Sequence, residues 1–366
     1  MGPVKKPAVT KQKSRMEAIV TQRGYPPARR LSTGEPRASD STMCRSMSIS
    51  SKRLLAGVAM AAIMFSTLSL TVDALGATGH RIVGMLAELH LKDSRALKEI
   101  RRILPPDHTL ADASVWPDTI KDPLYEDGDT ANFRLNHPAH DTYHYANLPF
   151  QAERYGLDVP GARPTDIVQM ARESIRVLQT GKGLFTPREA LRLLAHFVGD
   201  LHQPLHVGNA FVSSGGRLAF VEPTTPAGWR PTLGGNALVY GPEHRFNLHS
   251  YWDSHAVNIT VQQEDAAAYA ARLFADVQPA PAWKHSGEPD TWPAQWATEG
   301  LGHAKGVHRG IRLVSYLGPD DAKRTAHRWL IEQPSDYDAR ARPLMRQQLA
   351  AGGYRLAAVL RAIWPD

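Results

Sequence analysis

Apolar residues recur at helical spacing in several stretches of this 366-residue chain, and turn-forming residues divide the stretches from one another. Ile82, Val83, Leu86 and Leu89 share a face after Gly79, which predicts a helix with His80 at its start. A second helix is expected over 94–104, where Pro105 and Pro106 stop it. Ile167, Met170, Ile175 and Leu178 mark another over 165–179, ended at Gly181. Thr186-Pro187-Arg188-Glu189 then combines an N-cap, a first-turn proline and a capping-box glutamate, so a helix opens there. Leu191, Leu194, Ala195 and Val198 form its apolar face, and it is expected to run to Gln203 with His196 and Asp200 near the core. The C-terminal third turns helical again over 266–274, 292–304, 320–331 and 338–363.

Between these stretches the pattern fades. Residues 122–164 are rich in Pro, Asp, His and Asn and read as long loops around Asp118 and His144. Residues 208–235 are rich in Gly, Pro and Thr, with a small β-hairpin expected around 217–221 and 236–240. No internal repeat is visible. The expected fold is mainly α: a single helical domain with long ligand-bearing loops.

The N-terminal part differs in kind. Residues 54–72 form an almost charge-free apolar run after Lys52 and Arg53, and Val72-Asp73-Ala74 offers a small-x-Ala cleavage site. That is the layout of a secretory signal peptide, expected over 43–74 and cleaved near Ala74, rather than an uncleaved membrane anchor. The Pro-, Arg- and Ser-rich residues 1–42 read as disordered or as an over-extended gene start, since Met43 and Met47 stand where a signal peptide would begin. Twelve of the 43 Lys and Arg residues, but only 4 of the 36 acids, precede Leu75, so the formal charge of +7 shrinks to −1 for residues 75–366. A near-neutral chain lacks the general basic field with which many proteins attract nucleic acid. The one cysteine, Cys44, lies before the cleavage site, so an exported product has no disulfides.

Chemistry concentrates in His196-Phe197-Val198-Gly199-Asp200-Leu201-His202-Gln203-Pro204-Leu205-His206. His196 and Asp200 are just over one helical turn apart and can meet one metal ion. Pro204 forces a turn that delivers His206 from a new direction. His249 and Asp253 repeat the i, i+4 pair, and His80, Asp118 and His144 stand upstream. Eight ligands made only of imidazole and carboxylate suit zinc or another borderline divalent ion, and without thiolates they favour a catalytic over a structural metal.

These motifs, together with Gly76-Ala77-Thr78-Gly79-His80-Arg81, Ser114-Val115-Trp116-Pro117-Asp118, His144-Tyr145-Ala146-Asn147, Gly234-Gly235-Asn236 and the segment from Leu349 to Ala357, occur in one order. In that order residues 75–366 resemble the zinc-dependent single-strand nucleases of the S1/P1 type, also called nuclease I or 3′-nucleotidases, whose fold is shared with zinc phospholipase C. The resemblance implies three Zn2+ ions. Asp118, His144, His196 and Asp200 would hold one; Asp200 would bridge to a second held by His80 and the amine and carbonyl of Leu75; His206, His249 and Asp253 would hold the third. Lys121 matches a cationic residue that balances charge on phosphorus, and Tyr145 and Asn147 match positions that stack on and hydrogen-bond the nucleobase. The implied substrates are single-stranded DNA, RNA and 3′-nucleotides, cleaved by a periplasmic or secreted enzyme with no stable membrane association once processed and no obligate protein partner. The chain departs from the family in placing Leu75 where tryptophan is usual, in a longer 208–231 loop and in lacking the fungal disulfides, which points to a bacterial branch.

Other residues in these motifs read as structural. His202 faces away from Asp200, His137 and His140 read as solvated loop residues, and Trp116 and Trp252 as packing beside ligands. Two rival functions are a zinc phospholipase C, expected to carry Glu where this chain has Asp253, and a non-catalytic zinc-stabilised binding protein.

Overall fold

The computed structural model describes residues 75–366 apart from 216, 224–227 and 321–324. The signal peptide, the upstream segment and Cys44 lie outside the described residues. In chain order the helices are α1 (Gly76–His90), α2 (Arg95–Ile103), α3 (Leu110–Thr119), α4 (Thr130–Asn136), α5 (Ile167–Thr180), α6 (Pro187–Leu201), α7 (Leu248–Ser250), α8 (Ala256–Val261), α9 (Ala266–Asp276), α10 (Trp292–His308) and α11 (Tyr337–Ile363). The fold is mainly α. Helix α6 is its axis: every residue from Glu189 to Leu201 is buried, with α3, α5, α10 and α11 packed around it. A helix apolar on one stripe becomes central here because its polar side chains find partners inside the protein.

Local signals explain most boundaries. Ser94 caps α2 by accepting from Leu97 N, and Asp166 caps α5 through Val168 N and Gln169 N. Thr186 and Glu189 form the expected reciprocal capping box of α6. That helix ends at Leu201, short of Gln203, because Pro204 disfavours helical backbone in the residue before it and Gln203 is extended, with ψ 114°. Helix α1 begins at Gly76, so His80 stands inside it, and Leu89 reaches the surface rather than the core. Where α1 meets α3, a Cβ on Gly84 would lie 2.6 Å from Ala111 N, so only glycine permits the contact.

Among the described residues, strands occupy three small sheets. β1 (Leu148–Pro149) pairs in parallel with β2 (Gly208–Asn209). β3 (Phe211–Ser213) lies antiparallel between β4 (Phe220–Val221) and β5 (Trp229–Pro231). β6 (Leu238–Tyr240), β7 (Phe246–Asn247), β8 (Arg312–Asp320) and β9 (Thr325–Glu332) form a sheet of order β7-β6-β9-β8.

Three expectations are corrected. The segments 217–221 and 236–240 do not pair with each other; β4 joins β3, and β6 joins β7 and β9. The described residues of 320–331 are not helical: Asp320 ends β8 and 325–331 lie in β9, where buried Trp329 and Ile331 alternate with partly exposed Arg328 and Leu330. Asp118 sits on helix α3 rather than in a loop, because Thr109 and Asp112 form a capping box that opens α3, and the helix runs on through Pro117 to end two residues later at Thr119.

Candidate metal centre

Six pieces of chain deliver the candidate ligands to the buried end of α6. His196 and Asp200 leave α6 one turn apart, His80 comes from α1 and Asp118 from α3. His144 and His206 are tied by reciprocal bonds, Ala146 N donating to His206 O at 2.7 Å and His206 Nδ1 to His144 O at 2.7 Å. His249 lies on α7 and Asp253 in the π-helical turn Tyr251–His255 that follows, a widened turn often found at functional sites. His80, His196, Asp200 and Asp253 have no solvent exposure, and His206 has almost none.

The side chains gather into three groups able to hold a metal ion: His80, His196 and Asp200; Asp118, His144 and His196; His206, His249 and Asp253. Asp200 joins them. One of its oxygens lies 3.2 Å from His80 Nε2, and the other lies 2.9 Å from His196 Nε2 and 3.3 Å from His144 Nδ1. In the third group His249 Nε2 is 3.3 Å from Asp253 Oδ2, and His206 Nε2 is 3.6 Å from Asp253 Oδ1. Leu75 is buried, and its nitrogen donates to Asp253 Oδ1 at 3.0 Å. Its side chain and His80 both crowd Gly199, where a Cβ would stand 2.6 Å from His80 Nδ1 and 3.4 Å from Leu75 Cδ2.

Backbone carbonyls choose the tautomers. Nδ1–H of His196 donates to Ser114 O, that of His206 to His144 O and that of His249 to Gly234 O, at 2.7, 2.7 and 2.8 Å. Each bond leaves Nε2 facing the cluster, the nitrogen able to meet a cation. His144 instead turns Nδ1 inward, 2.8 Å from His196 Nε2.

The donor set fits a cation. Both ring nitrogens of His80, Asp118 Oδ2, Asp200 Oδ1, His206 Nε2 and Asp253 Oδ2 are buried and without a hydrogen-bond partner. Such atoms are costly to bury unless something charged meets them. Burial opposes ionisation of Asp118, yet His196, Lys121 and His144 hold it down at about 2. Burial likewise opposes ionisation of Asp200, but His196 and His206 keep it well below the usual carboxylate range. Burial lowers His144 to about 3, with Lys121 adding to the effect, and burial also lowers His80. Burial disfavours charge on His206 too, yet the Asp200 and Asp253 carboxylates lift it to about 9. Its proton is a charge that an entering cation would displace.

A cleft of about 320 Å³ opens beside these groups, lined by His144, His206 and His249 and also by Lys121, Tyr145 and Asn147. Lys121 Nζ bonds Asp118 Oδ1 at 2.6 Å. The Arg163 guanidinium lies over the Tyr145 ring, 5.0 Å from its centroid. Leu233, 40% exposed, Asn236 and Asp141 also line the cleft, and nothing in sequence spacing marked Leu233 or Asp141.

Other histidines stay out of the groups. His202 takes no part in them and is buried, bonded to Val198 O and Arg355 Nη1. His137 and His140 are not solvated: both are buried, packed on Phe133, because Phe133 and Phe185 close over this loop. Trp116 donates to Asp127 and Trp252 to Tyr337, each packed in the chain beside a candidate ligand.

Known nucleases resemble this chain over much of its length. Among curated relatives, Endonuclease 2 of Arabidopsis thaliana is 25% identical over 310 residues, covering 79% of this chain and 90% of that protein. Nuclease S1 of Aspergillus oryzae is 25% identical over 305 residues, covering 79% and 91%. Nuclease P1 of Penicillium citrinum is 25% identical over 198 residues, covering 54% and 66%. A sequence model of the family described as S1/P1 Nuclease matches residues 75–365, so the chain belongs to the S1/P1 nuclease family.

Proposed function

We propose that this nuclease is a zinc-dependent endonuclease and 3′-nucleotidase that hydrolyses single-stranded DNA and RNA to 5′-phosphorylated products. The observation that carries the reading is the convergence of buried, unpartnered His and Asp atoms on three groups beside one open cleft. Asp118, His144, His196 and Asp200 form one ligand set; His80, Asp200 and the amine and carbonyl of Leu75 a second; His206, His249 and Asp253 a third. When bound, zinc in these sets supplies Lewis-acid charge that acidifies water near neutral pH and stabilises oxygen anions developing at phosphorus.

The chain's own residues do the positioning. Asp200 gives one oxygen to the His80 side and the other to the His196 and His144 side, which fixes the separation of the first two sets. Lys121 offers its ammonium to a phosphate oxygen as water adds to phosphorus and the 3′-oxygen leaves. Tyr145 presents a ring to the base while Arg163 covers the ring, and Asn147 meets a base edge. Stacking of this kind tolerates many sequences. Affinity is local, because residues 75–366 carry almost no net charge.

No helix of the described residues is long and apolar enough to cross a membrane. The free amine in the second set requires cleavage after Ala74, so we read the protein as periplasmic or secreted, and N-terminal sequencing that begins at Leu75 is the expected result. Parallel incubation with single-stranded DNA and with phosphatidylcholine tests the activity. Nucleotide release is expected; phosphocholine release without nucleotides contradicts the reading.

A further inference from the structure

Gln203 belongs to none of the ligand sets, yet it is fully buried and both ends of its amide are committed. Its Oε1 accepts from Leu205 N at 2.6 Å, inside the turn that carries His206. Its Nε2 donates to Asp253 Oδ1 at 2.8 Å. The amide orientation is dictated by its neighbours, since a backbone N–H only donates and a carboxylate only accepts. Leu75 N donates to the same Asp253 oxygen. Asp253 Oδ1 therefore has two donors and Oδ2 has none, although Oδ2 is buried beside His249.

Two donors on one oxygen remove the freedom of an aspartate to swing or exchange its oxygens. We propose that Gln203 is a positioning residue for the His206, His249 and Asp253 set. It holds Asp253 so that Oδ2 remains the open ligand, and it ties that orientation to the turn that brings in His206. The proposal rests on reading these three residues as metal ligands. Outer hydrogen bonds of this kind change metal affinity by about 10–100-fold.

The test is equilibrium dialysis of metal-depleted protein against buffered zinc, with bound metal counted by atomic emission and folding followed by circular dichroism. Gln203→Met fills the same space without either hydrogen bond. It is expected to hold one ion about 10–100-fold more weakly than wild type and the rest unchanged. Asp253→Ala is expected to lose that same ion, and adding Gln203→Met to it should change nothing more, because Gln203 acts through Asp253. Unchanged affinity in folded Gln203→Met overturns the proposal, and so does an equal weakening of every ion, which marks a merely structural role. If Asp253→Ala keeps the full complement of metal, the ligand reading itself has failed and the proposal falls with it. Should the Met variant not fold, Gln203→Leu replaces it under the same expectations, since it too removes both hydrogen bonds.

Discussion

The imidazoles of His80 and His196 stack at a centroid distance of 4.0 Å with 13° between their planes. Two buried rings lie face to face because Asp200 reaches both from one side, and nothing but a cation fully satisfies the nitrogens and oxygens so gathered. Metal removal should therefore weaken the fold as well as stop hydrolysis. A ligand at about 1,000 times its dissociation constant adds about 4 kcal/mol to stability. Thermal unfolding of chelated protein is expected to move to a higher temperature as zinc is restored, and an unmoved transition would argue against a metal centre here.

Gly199 sets the distance between α6 and His80. A Cβ there would stand 2.6 Å from His80 Nδ1, and the buried ring has no room to retreat. Gly199→Ala should destabilise the protein by about 1–3 kcal/mol, the usual cost of overpacking a core. Urea unfolding measures this; a loss below the error of the method would show that His80 can shift freely.

Lys121 and Tyr145 line the same cleft but should fail differently. Lys121→Met removes charge from the reacting phosphate, and kcat is expected to fall about 10²-fold with KM little changed. Tyr145→Ala removes a stacking partner worth about 1–3 kcal/mol per base, so KM for an oligonucleotide should rise about 10-fold or more while kcat holds. Steady-state kinetics on one substrate separates the two, and the reverse pattern would exchange their roles.

His308 gives a pH dependence independent of the metal site. Burial pushes its ring down to about 4 from 6.5, against the weaker opposing effect of its bond to Ala304 O. Between those values the unfolded chain holds a proton that the folded protein does not. Stability from the neutral ring is complete above pH 6.5 and is lost as pH falls toward 4. In chelated protein, His308→Phe, which keeps the stacking on Phe150, should lessen the acid loss by about one proton relative to wild type. Identical pH slopes in the two proteins would contradict this.

How much of this was legible in the sequence depends on how local each signal is. The opening of α6 was readable because Thr186, Pro187 and Glu189 act within one turn, and the His196–Asp200 pair because i, i+4 spacing fixes a shared face. Helix α3 was not, because Pro117 reads as a breaker unless the Thr109–Asp112 cap is weighed against it. The β8–β9 hairpin hid behind a helix-like apolar pattern, its strand character settled by pairing with β6. His137 and His140 looked solvated because Phe185, which packs on His137, lies more than forty residues away in the chain. Gln203 carried no signal at all, since its partner Asp253 is fifty residues distant.

Asp200 bears the central claim, as the carboxylate of the His80, His196 and Asp200 group whose second oxygen reaches His144 of the neighbouring group. The most direct measurement is zinc content and single-stranded DNA hydrolysis by Asp200→Asn, compared with wild type before and after chelation and zinc restoration. A folded Asp200→Asn protein is expected to bind less zinc and to lose at least about 10²-fold in rate, while chelated wild type regains its activity with zinc. Wild-type hydrolysis by a folded Asp200→Asn protein, or activity indifferent to chelation, would contradict the mechanism.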